Sequence, residues 1–191
     1  MRSRQIRRLA ATTVPIFLAM TLAGCGAPSD TVPEEEAAQP SSVENPVLRL
    51  RLVDPPSEFG VTANQGGDLV LSHTDPAVGG DIVIVALPPE DGQNLVSAVA
   101  FHQAFVENQE DGDYQGGQEL VGPLGTAFYS RGRFTLEGEA IEETKIFTLH
   151  PDGDRILTLR YRYPSGVDSS VRVQQLFDLL ATVEGLDEQP D

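Results

Sequence analysis

Two hydrophobic periodicities alternate along residues 47–186, and they predict most of the elements. Val47 to Val53 places Leu48, Leu50 and Leu52 against Arg49 and Arg51, a period of two that marks a strand with one buried and one wet face. Asp54-Pro55-Pro56 ends it, Phe59 to Ala63 forms a short second strand, and Gly66-Gly67 turns the chain. Asp68 to Thr74 follows with Leu69, Leu71 and His73 on one face. Asp81 to Leu87 (Asp-Ile-Val-Ile-Val-Ala-Leu) is apolar on both faces, which predicts a strand in the middle of a sheet covered on both sides.

After Pro88-Pro89 the period lengthens. Leu95, Ala98, Val99, Phe101, Phe105 and Val106 recur at helical spacing, predicting a helix over 93–108 with Asp91 as its cap. Glu110 to Gly117 is polar and glycine-rich and reads as a loop. The pattern then returns to strands at Thr126–Ser130, Arg133–Glu137, Ile141–His150 and Asp154–Tyr163, with turns at Gly132, Gly138 and Asp152-Gly153. A closing helix spans about 171–184, capped by Asp168 to Ser170 and stopped by Gly185, with Val173, Leu176, Phe177, Leu180 and Val183 as its buried stripe.

Two helices separated by strands joined through short turns predict an α+β fold, a mainly antiparallel sheet with helices packed on it as an α/β/α sandwich. The order of elements resembles the PsbP-like fold, shared by photosystem II extrinsic proteins, a Ran-binding nuclear protein and various bacterial lipoproteins. The resemblance runs from Val47 to Gly185. It rests on the opening strands, the helix after Pro88-Pro89, the meander ending in Arg155-Ile156-Leu157-Thr158-Leu159-Arg160-Tyr161, and the closing Gln174-Gln175-Leu176-Phe177-Asp178. It implies a binding or accessory protein rather than an enzyme, and it brings no residue-by-residue set of functional positions.

The segment ahead of this domain changes the picture most. Arg2, Arg4, Arg7 and Arg8 precede a charge-free run from Leu9 to Ala23, too short for a transmembrane helix and right for a signal peptide. The run ends in Leu22-Ala23-Gly24-Cys25, which resembles the bacterial lipoprotein box. That resemblance implies cleavage between Gly24 and Cys25 and acylation of Cys25, palmitate included. Cys25 is the chain's single cysteine, so no internal disulfide competes for it. The domains expected are a signal peptide at 1–24, a lipidated cysteine and disordered acidic proline-rich tether at 25–46, the folded domain at 47–186 and a disordered tail at 187–191. The expected address is the extracytoplasmic side of a bacterial membrane.

Charge narrows the partners. The chain carries a formal −16 and loses only four positive residues with residues 1–24, which leaves −20. So acidic a chain does not hold nucleic acid by counterion release and is repelled by anionic headgroups. The expected partners are the membrane, through Cys25, and another envelope protein. No cofactor is expected.

Candidate chemistry is sparse. An enzyme reading, hydrolase or metal-dependent, has to start from His73 and Asp75. Otherwise His73 is a partly buried strand-end histidine, His102 packs at a helix boundary beside Phe101, and His150 belongs to the turn Pro151-Asp152-Gly153-Asp154. Histidine spacing suits no metal motif, and Asp152, Asp154 and Glu143 make at most a weak calcium set without an EF-hand series. There is no Gly-x-Ser-x-Gly elbow. Catalytic and metal residues are therefore assigned to none. Arg131, Arg133, Lys145, Arg155, Arg160 and Arg162 gather in the meander, where they meet either an acidic ligand or the acids Glu137, Glu139, Glu142 and Glu143 of the same hairpins; pairing is the simpler account. A third possibility is a small-ligand site in the gap between the first helix and the sheet, which a dry, filled core would exclude.

Overall fold

A computed structural model describes residues 42–88 and 94–186. Its main body is a seven-stranded antiparallel sheet built from β3 (Phe59–Gln65), β4 (Asp68–His73), β5 (Asp81–Leu87), β6 (Glu110–Gly122), β7 (Gly125–Leu136), β8 (Glu139–Leu149) and β9 (Ile156–Pro164). The spatial order is β3-β4-β5-β9-β8-β7-β6. Every connection but one is a hairpin between neighbours. The exception is the stretch from β5 to β6, which carries α1 (Leu95–Glu107) over one face of the sheet. On the opposite face lie α2 (Ser169–Leu180) and a three-stranded sheet, β1 (Ser42–Asn45), β2 (Leu50–Val53) and β10 (Val183–Gly185), in the order β1-β2-β10. The fold is thus the expected α+β sandwich with a helix on each side.

The main core fills the α2 side. Leu69, Leu71, Ile82, Ile84, Leu157, Leu159 and Tyr161 point there from the central strands and meet Leu50, Leu52, Leu176, Leu179 and Leu180. Strand alternation does the sorting: residues 157, 159, 161 and 163 of β9 are buried in this core, while 158, 160 and 162 face the α1 side half-exposed. Arg172 of α2 is buried in the same layer. It donates to the Tyr161 hydroxyl at 2.9 Å and to the Val78 carbonyl at 3.2 Å, and stacks over Tyr161 and Tyr163.

Several expected boundaries move, each for a local reason. Ser42–Asn45, expected within the tether, is β1; Asn45 is fully buried and donates to the Asn64 side chain, tying β1 to the β3–β4 turn. The cap of α1 is Asn94, which exchanges side-chain bonds with Ser97 in a capping box; Asp91 lies outside the described residues. Glu110–Gly122 is an edge strand rather than a loop, mostly solvent-exposed and twice bulged against β7. The two strands expected on either side of Gly132 are one strand, β7. The closing helix stops at Leu180, with Ala181 as its C-cap. Val183 and Gly185 therefore belong to β10, where Glu184 pairs with Arg51 across β2 at 2.6 Å.

Gly132 is not a turn residue but the floor under α1. A Cβ there would stand 2.5 Å from one Val106 methyl and 2.7 Å from the other. Gly132→Ala is therefore expected to destabilise the domain by about 1–3 kcal/mol, read as a lowered urea midpoint at unchanged slope. Adding Val106→Ala should recover part of the loss. A double variant no more stable than the sum of the two single losses would mean the helix does not seat on this glycine.

Candidate functional site

The helix face that meets the sheet carries Ala98, Phe101, His102, Phe105 and Val106, spaced three and four apart. Beneath it, β8 supplies Glu143, Lys145 and Phe147, and β9 supplies Ile156, Thr158, Arg160 and Arg162. Glu143 is opposite Arg162 in the ladder, Lys145 opposite Arg160, and Phe147 opposite Thr158. Strand alternation thus puts three cations and one carboxylate from β8 and β9 on a sheet face roofed by aromatic side chains, with Asp81 of β5 opposite Arg162 on the same face.

Glu143 is the hub and is wholly buried. Its Oε2 accepts from Arg162 Nε, and its Oε1 lies 3.1 Å from both His102 Nε2 and Lys145 Nζ. Neither Oε1 contact has aligned hydrogen-bond geometry, and the charge that faces that oxygen is the Lys145 ammonium. Burial opposes ionisation, but the His102 contact, Lys145 and Arg162 outweigh it and hold the carboxyl down at about 2, against 4.5 for a free glutamate. Burial pushes His102 down from 6.5; Glu143 pulls the other way, and Lys145 and Arg162 add to the fall. The ring is therefore neutral at pH 7. With the carboxylate beside Nε2, the ring proton belongs on Nε2, so Nδ1 accepts from Ser130 Oγ at 2.8 Å. Ser130 in turn meets the Tyr114 hydroxyl at 3.1 Å.

Ser130, His102 and Glu143 have the composition of a catalytic triad without its arrangement. The serine meets Nδ1 and the acid meets Nε2, the reverse of the serine-protease order, and Ser130 is fully buried. What the set does is anchor α1 to β7 and β8.

The same roof leaves a cavity of about 330 Å³, open on one side and lined by Leu87, Ala98, Phe101, His102, Phe105, Lys145, Phe147, Ile156 and Thr158. Lys145 extends over the Phe105 ring, 5.2 Å from its centroid. The gap between the first helix and the sheet is thus partly empty, and Phe101, expected in the core, is 60% exposed at its mouth. A neighbouring cavity of about 350 Å³ at the start of α1 has Asp154 and Arg155 as its charged lining. Arg155 is already committed there: it donates to the Leu48 carbonyl and the Asp152 carboxylate, each at 2.8 Å.

The other sequence candidates are taken up locally. His73 Nδ1 accepts from the Asp75 amide, and Asp75 Oδ1 accepts from the Ala77 amide, an Asx-type turn that explains both residues. His150 is buried against Asp152, 2.6 Å away. Asp152 and Asp154 share that turn, whereas Glu143 is in the buried cluster, so the weak calcium set does not converge; no group of three metal-ligating side chains occurs among the described residues. Gly24 and Cys25 lie outside the described residues. Of the meander cations, Arg131 and Arg133 both pair with Glu142, and Lys145 and Arg162 with Glu143. Arg160 has no hydrogen bond or ion pair among the described residues, and its Nε is buried without a partner. His102 was expected at a packing boundary; its burial in an ionic cluster shows only when β8 and β9 are laid side by side.

No family model matches the chain, and no curated protein does. Solved structures do match. The Ran-binding protein Mog1p of Saccharomyces cerevisiae superposes with a TM-score of 0.56 at 13% identity, over 76% of this chain and 95% of that one. LpqN of Mycobacterium tuberculosis, described as involved in cell envelope biogenesis, gives 0.50 at 12% identity, over 72% and 83%. A Bacteroides thetaiotaomicron protein gives 0.51 at 17% identity; this chain covers 78% of its own length and 49% of that protein, so it spans about half of it. At such identities the likeness is one of fold: the α+β domain is similar in fold to Mog1p and LpqN.

The buried cluster sets a pH dependence. Glu143 ionises in the folded state far below its unfolded value, so its contribution is complete above about pH 4.5 and is lost as pH falls towards 2. His102, held neutral, removes stability as pH falls below 6.5. Urea stability should therefore decline from about pH 6.5 downward and steepen below 4.5. Glu143→Gln, which strands Lys145 and Arg162, should cost about 3–5 kcal/mol at pH 7 and flatten the steep part of the acid limb. An unchanged limb in that variant would show that other carboxylates carry it.

Proposed function

We propose that the chain is a lipid-anchored bacterial envelope protein whose folded domain has a non-catalytic binding or accessory role on the extracytoplasmic side of the membrane. The observation that carries the reading is the placement of the single cysteine: Cys25 stands in Leu22-Ala23-Gly24-Cys25, directly after a charge-free run preceded by four arginines. Two or more acyl chains on one cysteine hold a protein to a bilayer stably. No helix among the described residues is long and apolar enough to cross a membrane. The acidic, proline-rich segment from Gly26 onward then acts as a spacer, its repulsion from anionic headgroups keeping the domain clear of the surface.

The likeness in fold to a protein described as Ran-binding supports the binding half of the reading, and the likeness to one described as involved in cell envelope biogenesis supports the envelope half. The enzyme alternative through His73 and Asp75 finds no support in a pair whose polar atoms already serve a turn.

Intact-mass spectrometry of membrane-extracted protein tests the anchor. The expected mass is that of a chain starting at Cys25 plus a diacylglyceryl and an amide-linked acyl group, and Cys25→Ser should abolish both processing and membrane retention. A chain cleaved elsewhere and released from the membrane would overturn the proposal.

A further inference from the structure

Lys145 and Arg160 face each other directly across the β8–β9 ladder, an arrangement of like charges that destabilises a sheet. Arg162 stands two residues along the same strand face. Against these three cations the ladder sets Glu143, whose contacts go to Lys145, Arg162 and His102, and the exposed Asp81 of β5, which stands opposite Arg162. Asp68, exposed on β4 opposite Val85, is the other acid whose charge reaches Arg160. Lys145 has three donor hydrogens and a single carboxylate contact, and Arg160 has neither hydrogen bond nor ion pair among the described residues. A chain that carries −16 overall has therefore set two cations face to face, Arg160 of that pair without a paired carboxylate, and Lys145 of the same pair lines a cavity.

Apart from the neutral ring of His102, the cavity's other walls are hydrocarbon: Leu87, Ala98, Phe101, Phe105, Phe147 and Ile156. Thr158, two residues before Arg160 on the same face, lines it beside Lys145. An apolar slot of about 330 Å³ with a cationic end suits a ligand with an aliphatic body and one anionic head. We propose that this slot between α1 and the β8–β9 strands binds a medium-chain aliphatic carboxylate, its chain under Phe101 and Phe105 and its head between Lys145 and Arg160. The ligand would neutralise a charge pair that the empty protein holds at a cost. The proposal deepens the binding role inferred above but does not depend on the lipid anchor, so the mass measurement and the test below can fail separately.

Full-length protein, purified in a mild detergent so that it stays in solution whether or not it is acylated, would be photolabelled with a diazirine derivative of decanoic acid, with the matching decanol derivative as the neutral control. Labelled peptides would then be mapped by mass spectrometry. Label from the acid is expected on the segments carrying Ala98–Phe105 and Lys145–Thr158, competed by excess decanoate and at least fivefold above label from the alcohol. Arg160→Gln should cut the acid's label at these segments at least fivefold while leaving the melting temperature equal or higher, because it relieves the like-charge pair and breaks no internal bond. A purely structural role for Arg160 predicts the opposite on both readouts. Ala98→Leu, which fills the slot from the helix side, should remove label from acid and alcohol alike in a folded protein. The proposal is overturned by label elsewhere only, by equal label from acid and alcohol, or by label indifferent to Arg160→Gln.

Discussion

Glu143 is the residue on which the α1 half of the molecule depends. It is a wholly buried carboxylate in contact with Arg162 and Lys145 from the sheet and His102 from the helix. A buried charge is tolerable only when its partners are themselves fixed. Here they are: Arg162 by the Phe105 and Phe134 rings, Lys145 by Phe105, and His102 by Ser130. On the opposite side a leucine-rich core does most to hold α2 and the small sheet, with the buried Arg172 tied to Tyr161 and the Val78 carbonyl within it. The two halves of the sandwich are held by different physics, hydrocarbon on one face and a compensated ion cluster on the other.

That division explains what the pattern of residues could and could not disclose. The α2 face obeys simple alternation, so Leu69, Leu71, Ile82, Ile84, Leu157 and Leu159 are legible as core from the sequence, and Asp81–Leu87 appears with its observed bounds. On the α1 face the helix buries His102 and exposes Phe101, and hydrophobic periodicity ranks those two residues the wrong way round. The edge strand β6 is illegible for a related reason. Its run Glu-Asp-Gly-Asp-Tyr-Gln-Gly-Gly buries almost nothing, and it is a strand because β7 offers a ladder, not because of its own composition.

Gly132 shows how one residue type carries two meanings. In sequence it separates two short strand signals and reads as a turn; in the fold it is the flat place in β7 where Val106 of α1 rests. Likewise Gly185 reads as a helix stop, yet the chain leaves α2 at Leu180 and returns as β10. Both misreadings come from tertiary contacts between residues far apart in the chain, which no local signal carries. The meander cations were legible as a group, and their pairing with Glu142 and Glu143 was the better expectation for four of them. Only the ladder register separates Arg160 from the rest.

The net charge of the chain at first argues against an anionic ligand anywhere on it. Range decides the matter. At physiological salt the screening length is about 8 Å, so acids scattered over the exposed surface and along the tether act weakly on a head group inside the slot. Lys145 and Arg160 are only partly exposed and lie within contact range, where screening is poor and each charge counts more. Burial and the neighbouring arginines already push Lys145 downward, and an anion beside it would reverse that pressure. The acidic exterior and the cationic slot are then compatible: the first repels anionic surfaces, and the second selects, by its apolar walls, an anion with an aliphatic body.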